Sequence, residues 1–242
     1  MKSTITSLGT AVPEFKIAQK SIARLMSEIL PLKPAEKEKL FRLYDSSGIA
    51  TRHTVISDFA SEPKNFRFFP NHPGKPFPDT RARMELYKQK ALPLALNAID
   101  DCLAGAEVNP SEITHLIVIS CTGMYAPGLD IEIIEQTEMK TSVQRTGINF
   151  MGCYAAFNGM KVADQICRAN PEAKVLMVSL ELCTLHFNPE PDIEKILVNT
   201  LFSDGAAAIL VEHNPEGRGF QIESFYNDIA PESKQEMTWD IG

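Results

Sequence analysis

The chain has 242 residues, of which 44% are hydrophobic and 8% aromatic, enough to bury the core of one large domain or two small ones. Its formal net charge is -7 at pH 7 and its pI is near 5.3, which argues against broad binding to nucleic acid or to a membrane surface, because both need a net basic face. Five cysteines stand far apart without a CxxC pair, so reduced thiols in a cytoplasmic protein are expected rather than a disulfide framework.

Neither a secretory signal nor a membrane span is predicted. Residues 1–13 carry one lysine and no apolar core of the kind a signal peptide needs. No stretch approaches the ~18 consecutive apolar residues of a transmembrane helix. Cys183 and His186 have a spacing found in metal ligands, but no second pair lies nearby, so no metal site is expected.

Helical and strand patterns alternate along the chain. Helical periodicity covers, in chain order, residues 18–30, 35–45, 83–103, 129–138, 153–170 and 192–201. Fully apolar runs, typical of strands buried on both faces, cover residues 115–120, 174–180 and 206–211. The mostly βαβα order predicts an α/β fold in which helices cover both faces of a parallel or mixed sheet.

Two segments break this alternation. Residues 59–79 carry five prolines and several aromatics, a composition that suits neither helix nor strand and predicts a long surface loop or lid. After a turn near residue 217, a last strand is predicted over 220–227.

Cys153 is the residue that points most directly to chemistry, because a short strand ending in Gly152 runs into the helix predicted over 153–170. At a helix start, unpaired N–H groups and the positive end of the helix dipole stabilise a thiolate, the reactive form of cysteine. Gly152 permits a sharp turn, and the small residues Ala155 and Gly159 let the helix lie close to its neighbours. The plain alternative is a small buried hydrophobic residue, which the spacing alone leaves equally open.

Several motifs agree with a nucleophile at this position. The segment MGCYAAFNG at 151–159 and the segment LFSDGAAA at 201–208 resemble the nucleophile and GDGAAA motifs of type III polyketide synthases, the chalcone synthase-like family. Three further segments match in the same order, namely SGIATR at 47–52, RARM at 81–84 and CTGMYAPG at 121–128. Ser203 stands where the family motif has its first glycine. The resemblance implies the N-terminal βαβαβ half of a thiolase-like fold, with a mixed sheet covered by helices.

The same resemblance implies a decarboxylating Claisen condensation, with coenzyme A thioesters as substrates and no separate cofactor. Cys153 would accept an acyl group from an acyl-CoA, and malonyl-CoA would lose carbon dioxide to give an enolate. That enolate would attack the acyl carbon on Cys153 while the Cys153 N–H helps to hold the oxyanion.

The resemblance also implies roles for residues that spacing does not single out. Thr122 and Ala126 lie in the loop expected to contact substrate, and Ala126 stands near where many relatives place a methionine that reaches into the neighbouring subunit. Phe187 falls where the family has a phenylalanine that gates the passage from the coenzyme A tunnel. Lys39 and Arg42 match basic residues that contact the coenzyme A phosphates.

Residues 1–215 are expected to form the N-terminal domain, and residues 216–242 the start of a second half. Family members are longer, and the histidine and asparagine that assist their cysteine match no residue here. We therefore expect the chain alone to be acylated slowly at Cys153 without decarboxylating malonyl-CoA. The apolar face of the helix over 153–170 would pack on the second half, and it predicts a homodimer formed through this helix.

Two other functions fit the same residues. One is a non-catalytic thiolase-fold subunit that binds acyl chains or a partner chain. The other is an initiating 3-ketoacyl-ACP synthase, ranked lower because its nucleophile motif usually has Ala-Cys where this chain has Gly152-Cys153.

Overall fold

The computed structural model describes residues 2–187, 189–214 and 219–234. Its α-helices are Gln19–Ile29 (α1), Pro34–Ser46 (α2), Thr80–Ala106 (α3), Leu129–Gln136 (α4), Ala155–Ala169 (α5) and Ile193–Leu201 (α6). Its strands are Thr4–Ala11 (β1), Phe15–Ala18 (β2), Thr51–Thr54 (β3), His115–Ser120 (β4), Gln144–Asn149 (β5), Lys174–Leu182 (β6), Asp204–Glu212 (β7) and Phe220–Gln221 (β8).

The main sheet has the strand order β5-β4-β6-β7-β1-β8 within the described residues, and β2 pairs with β3 in a separate ribbon. Strand β4 runs parallel to both β5 and β6, whereas β7 is antiparallel to β6 and to β1. The sheet is therefore mixed, as the sequence predicts.

Helices cover both faces of this sheet. In β4, Leu116 and Val118 belong to the larger core with side chains of α1, α3 and α4. Ile117 and Ile119 belong to the second core, which α5 covers. Successive residues of a strand point to opposite faces, so a strand covered on both sides is apolar throughout.

Helix α3 lies very close to strand β1. Its Ala98 and Cys102 are fully buried, and a Cβ atom on Gly9 of β1 would lie 2.2 Å from the Cys102 backbone nitrogen and 2.4 Å from the Ala98 carbonyl oxygen. The hydroxyl of Ser7 donates a hydrogen bond to the Cys102 carbonyl oxygen at 2.6 Å. Only glycine at position 9 allows this approach.

The segment over 59–79 differs from the predicted surface loop, because its aromatic side chains enter the core. Phe59, Phe66 and Phe69 are buried, and the buried Asp58 carboxylate accepts N–H hydrogen bonds from residues 67, 68 and 69 at 3.0, 2.9 and 2.8 Å. Proline prevents regular structure here, but Asp58 supplies acceptors for the backbone, so the aromatic rings can be buried without leaving these N–H groups unpaired.

Two other predictions need correction. The predicted strand over 220–227 is wrong beyond Gln221, because pairing with β1 ends there and only the Ile222 N–H still bonds to the Ser3 carbonyl oxygen, at 3.0 Å. The helix predicted to begin at Cys153 begins as α5 at Ala155, after a 3₁₀ turn over Gly152–Tyr154.

The predicted division into residues 1–215 and 216–242 stays a prediction. Positions 215–218 and 235–242 lie outside the described residues. In the described part of the chain, no helix is both long enough and apolar enough to cross a membrane.

The contact between β1 and α3 predicts that adding one methyl group lowers the free energy of unfolding strongly at some positions and hardly at others. Gly9→Ala should lower the free energy of unfolding by about 3 kcal/mol, because the new Cβ meets backbone atoms that cannot rotate away. Gly205→Ala in the neighbouring strand β7 is the matched control, since its Cβ would lie 3.7 Å from the nearest atom, the Ala11 carbonyl oxygen. Urea unfolding of both variants measures the difference, and equal stability of the two would contradict the close packing.

Candidate active site

The carboxyl ends of three parallel strands meet at one edge of the sheet. The last residue of β4, Ser120, lies opposite the last residue of β5, Asn149, and Ile119 lies opposite Ser179 of β6. The crevice at such an edge is where open α/β sheets usually bind ligands. In this protein the loop over 121–128, the turn before α5 and the end of β6 all emerge there.

Cys153 lies in the sharp turn between β5 and α5. Phe150 has a φ of 55° and Gly152 a φ of 60°, both in the left-handed region. A Cβ on Gly152 would meet no atom within 4 Å, so the backbone conformation and not crowding favours glycine there. The turn leaves the Cys153 side chain exposed, immediately before the N-terminal end of α5.

Two further thiols lie near Cys153. The Cys121 thiol donates a weak hydrogen bond to the Gly152 carbonyl oxygen at 3.9 Å. Burial raises the pKa of Cys183 to about 12, and the negative charges of Glu181 and Asp204 act in the same direction. Cys183 is therefore protonated near neutral pH.

The remaining thiols, Cys102 and Cys167, are buried in the two cores. Burial raises the pKa of Cys167 to about 12 and also raises that of Cys102. Cys153 is the one exposed cysteine, and all five positions lie within the described residues.

The Glu181 carboxylate holds the start of the loop over 121–128. It accepts hydrogen bonds from the Cys121 N–H at 2.9 and 3.1 Å, the Thr122 N–H at 3.0 Å and the Thr122 hydroxyl at 2.6 Å. Burial raises the pKa of Glu181, and these hydrogen bonds act in the opposite direction. Backbone N–H groups and a side-chain hydroxyl of the loop are thereby hydrogen-bonded to β6.

Thr122 is buried, and its N–H, hydroxyl and carbonyl groups all have hydrogen-bond partners. Its hydroxyl oxygen accepts a hydrogen bond from the Leu182 N–H at 2.8 Å, and its carbonyl oxygen lies 2.7 Å from Nε2 of His186. Ala126 is exposed further along the same loop. Their contact with substrate stays a prediction.

Phe187 lies in a cluster of aromatic side chains. Its ring centroid is 5.3 Å from that of Phe69, 6.1 Å from that of Phe77 and 6.2 Å from that of Phe59. The side chain is only 5% exposed, and its gating role stays a prediction.

Lys39 and Arg42 are exposed one helical turn apart on α2. The Arg42 guanidinium forms an ion pair with Glu38 at 3.2 Å. The predicted phosphate contacts of both residues stay predictions.

Sequence reasoning missed Glu181 and gave His186 no role. A signal for Glu181 was present, because it is the single carboxylate in the mostly apolar strand β6 (KVLMVSLEL), and a charge in such a strand needs partners. His186 could be found only from the fold, since its partner Thr122 lies 64 residues away along the chain.

The arrangement offers an exposed cysteine thiol beside a loop that a half-buried carboxylate fixes. Among the described residues, no three histidine, cysteine, aspartate or glutamate side chains are grouped to hold a metal ion. In chemical terms this is a candidate site for covalent catalysis by a thiol at the carboxyl edge of an α/β sheet.

Comparison with known proteins identifies the family. The family model "Chalcone and stilbene synthases, N-terminal domain" matches residues 1–215. The chain therefore belongs to the chalcone and stilbene synthase family, through its N-terminal domain.

Two curated relatives are similar to this chain over most of its length. The chain is 32% identical over 209 residues to the "Alpha-pyrone synthesis polyketide synthase-like Pks18" of Mycobacterium tuberculosis, covering 86% of this chain and 51% of that protein. It is 28% identical over 240 residues to the 1,3,6,8-tetrahydroxynaphthalene synthase of Streptomyces griseus, covering 99% of this chain and 60% of that protein. The chain thus spans only about half to three fifths of these relatives.

Solved structures of type III polyketide synthases have the same fold. The C-terminal type III domain of Steely1 from Dictyostelium superposes with a TM-score of 0.85 at 25% identity, over 100% of this chain and 66% of that one. A fungal type III polyketide synthase, ORAS, superposes with a TM-score of 0.81 at 21% identity, over 100% of this chain and 65% of that one. The predicted thiolase-like fold and the predicted family are confirmed.

Proposed function

We propose that this chain carries the nucleophile of a type III polyketide synthase and that Cys153 accepts an acyl group from a coenzyme A thioester. The observation that carries the proposal is the position of Cys153. It is an exposed thiol in the turn before α5, in a chain that belongs to the chalcone and stilbene synthase family.

In the loading step the Cys153 thiolate attacks the thioester carbonyl carbon of the acyl-CoA. The resulting oxyanion is held by the Cys153 N–H, and its collapse expels the coenzyme A thiolate and leaves an acyl-Cys153 thioester. A thiolate suits both this step and the next one, because it is a good nucleophile and a good leaving group.

In the condensation step malonyl-CoA loses carbon dioxide, and the electron pair of the broken C–C bond forms an enolate. The enolate carbon attacks the acyl carbon on Cys153 and expels the thiolate, which yields a polyketide chain longer by two carbons. Because the chain spans 51% of the mycobacterial relative, we propose loading for this chain and condensation for the whole protein.

We propose that Lys39 and Arg42 bind the phosphates of coenzyme A. Both cations are exposed on one side of α2, and phosphate binding needs such charge at a solvent-accessible surface. Arg42 would exchange its contact with Glu38 for a phosphate oxygen. That ion pair is exposed on both sides, so separating it costs little.

Incubation with an acyl-CoA tests the loading step. Acetyl-CoA and dodecanoyl-CoA are each mixed with the full chain, and the adduct is located by mass spectrometry of proteolytic peptides. The expected result is one acyl group on the peptide that contains Cys153, lost in Cys153→Ala. Cys183→Ala is the matched control and should retain the adduct, because the Cys183 thiol is protonated near neutral pH.

The same assay measures the phosphate contacts. Lys39→Gln should slow adduct formation about tenfold at low acyl-CoA concentration, since one charge-assisted hydrogen bond is worth roughly that factor. At high acyl-CoA concentration the rate of the variant should return to that of the unaltered chain. Lys37→Gln on the same helix removes the same charge and should leave the rate unchanged. Absence of any Cys153 adduct on the unaltered chain would contradict acyl loading and favour a non-catalytic subunit.

We propose that the protein is a homodimer formed through the face around β5 and α5. In the described residues β5 pairs only with β4, which leaves its other edge open. Beside that edge, the large apolar side chains of Phe150, Met151, Tyr154 and Phe157 are 41–52% exposed. An apolar patch next to an open strand edge favours pairing with a second copy around a two-fold axis.

Light scattering at micromolar concentration tests the dimer. The expected mass is about twice 26.9 kDa, and Phe157→Glu should shift it toward a monomer because a buried charge would be unpaired at the interface. Phe220→Glu, at a side chain that is 80% exposed on β8, the edge of the sheet opposite β5, is the matched control. A monomeric mass for the unaltered chain would contradict the dimer.

A cytoplasmic location, the lack of a separate cofactor and the lack of nucleic-acid and membrane partners stay predictions. They are supported by the composition and by the family, in which coenzyme A thioesters would serve as substrates.

A further inference from the structure

Glu181 is a half-buried charged residue near the end of β6. Its neighbours Leu180 and Leu182 are fully buried on the opposite face of the strand. Removing a carboxylate from water is unfavourable unless donors replace the lost hydration. The described structure supplies those donors from the start of the loop, chiefly the backbone and hydroxyl groups of residues 121 and 122, with a side-chain hydrogen bond from Ser120 beside them.

The carboxylate fixes two consecutive peptide groups immediately after β4 ends. One oxygen accepts the Cys121 N–H at 2.9 Å, and the other accepts the Thr122 N–H at 3.0 Å and the Thr122 hydroxyl at 2.6 Å. Two adjacent N–H groups on one rigid acceptor define the direction in which the loop leaves the sheet. The position of the Cys121 side chain follows from that direction.

Cys121 connects this anchor to the nucleophile. Its thiol lies 3.9 Å from the carbonyl oxygen of Gly152, and that carbonyl belongs to the same peptide group as the N–H of Cys153. The peptide sits in a turn with left-handed φ at Phe150 and Gly152; glycine adopts that φ freely, but for Phe150 it persists only when surrounding contacts hold it. The Gly152 carbonyl oxygen also accepts the Ala155 N–H, so two contacts orient this peptide, and Glu181 is linked to one of them through the Cys121 side chain.

We propose that Glu181 is a positioning residue for acyl transfer: acting through Cys121, it orients the Gly152–Cys153 peptide so that the Cys153 N–H faces the oxyanion. This inference rests on the proposed function. It adds a residue that touches neither substrate nor the sulfur but sets the geometry of the group that stabilises the transition state. Small displacements of such a group reduce the rate strongly.

The test is Glu181→Gln in the full chain. The amide keeps the size of the carboxylate but places an NH₂ group against donors, so the anchor is lost without a cavity. The rate of Cys153 acylation at saturating acetyl-CoA should fall about tenfold, while the acetyl-CoA concentration for half-maximal rate changes less than twofold. Alkylation of Cys153 by iodoacetamide, which forms no oxyanion, should change less than twofold.

The matched control is Glu212→Gln, at the opposite end of the sheet. Glu212 ends β7 and accepts a hydrogen bond from the Thr6 hydroxyl at 2.8 Å, far along the strands from residue 121. It undergoes the same chemical change, and its acylation rate should equal that of the unaltered chain. Equal slowing in both variants would overturn the positioning role.

A double-mutant cycle tests the route through Cys121. Cys121→Ala removes the contact with Gly152 and should slow acylation several-fold by itself. If Glu181 acts through Cys121, the double variant is no slower than Glu181→Gln alone. Additive slowing would contradict this route.

Amide hydrogen exchange separates failure of this inference from failure of the proposed function. Exchange at residues 121 and 122 should accelerate at least tenfold in Glu181→Gln and not in Glu212→Gln, whether or not the chain binds acyl-CoA. Unchanged exchange would overturn the anchor. If the unaltered chain forms no acyl-Cys153 adduct, acyl transfer is overturned, and the positioning role of Glu181 is overturned with it. This holds even if hydrogen exchange shows that Glu181 anchors residues 121 and 122.

Discussion

The parallel register of β4 between β5 and β6 is the constraint on which the rest of the site depends. Because the three strands run in the same direction, their carboxyl ends reach the same edge of the sheet, and three separate chain reversals meet there. One reversal carries Cys121, the second carries Cys153, and the strand end beside them carries Glu181. Moving a strand by one residue would turn its side chains to the opposite face and separate these groups.

The groups at this edge differ in exposure. Cys153 stays accessible in a turn that needs left-handed φ values, whereas the half-buried Glu181 and the buried Thr122 form a hydrogen-bonded unit. A buried polar group without its partner costs roughly 1–3 kcal/mol, so the unit is held only when all its donors are in place. The rigid part of the site therefore positions the reactive part.

Much of the fold could be predicted from the sequence, because helical periodicity and fully apolar strands are local signals. The helices near 18–30 and 192–201 and the strand over 115–120 agree with α1, α6 and β4 within a few residues. The segment over 59–79 could not be predicted, since its burial depends on Asp58 accepting three distant N–H groups. A local pattern of prolines contains no information about that acceptor.

The candidate site was predictable only in part, for a similar reason. Cys153 was found from the strand-to-helix junction and from its motif, both of which are local. Glu181 and His186 gain their meaning from Thr122, about 60 residues earlier in the chain, which only the parallel pairing of β4 and β6 brings near. Phe187 and Lys39 were assigned by resemblance alone, and the contacts within this chain do not test those roles.

Site-resolved alkylation of the five cysteines tests most directly whether the sheet edge presents Cys153 as the nucleophile. With iodoacetamide at pH 8, Cys153 should be modified first, and Cys102 and Cys167 only on unfolding. A thiol with a pKa of about 12 is ionised to roughly one part in ten thousand at this pH, so Cys183 should react slowly and accelerate as the pH rises. Modification of Cys153 no faster than that of Cys183 would contradict the exposed, reactive thiol on which the proposed function depends.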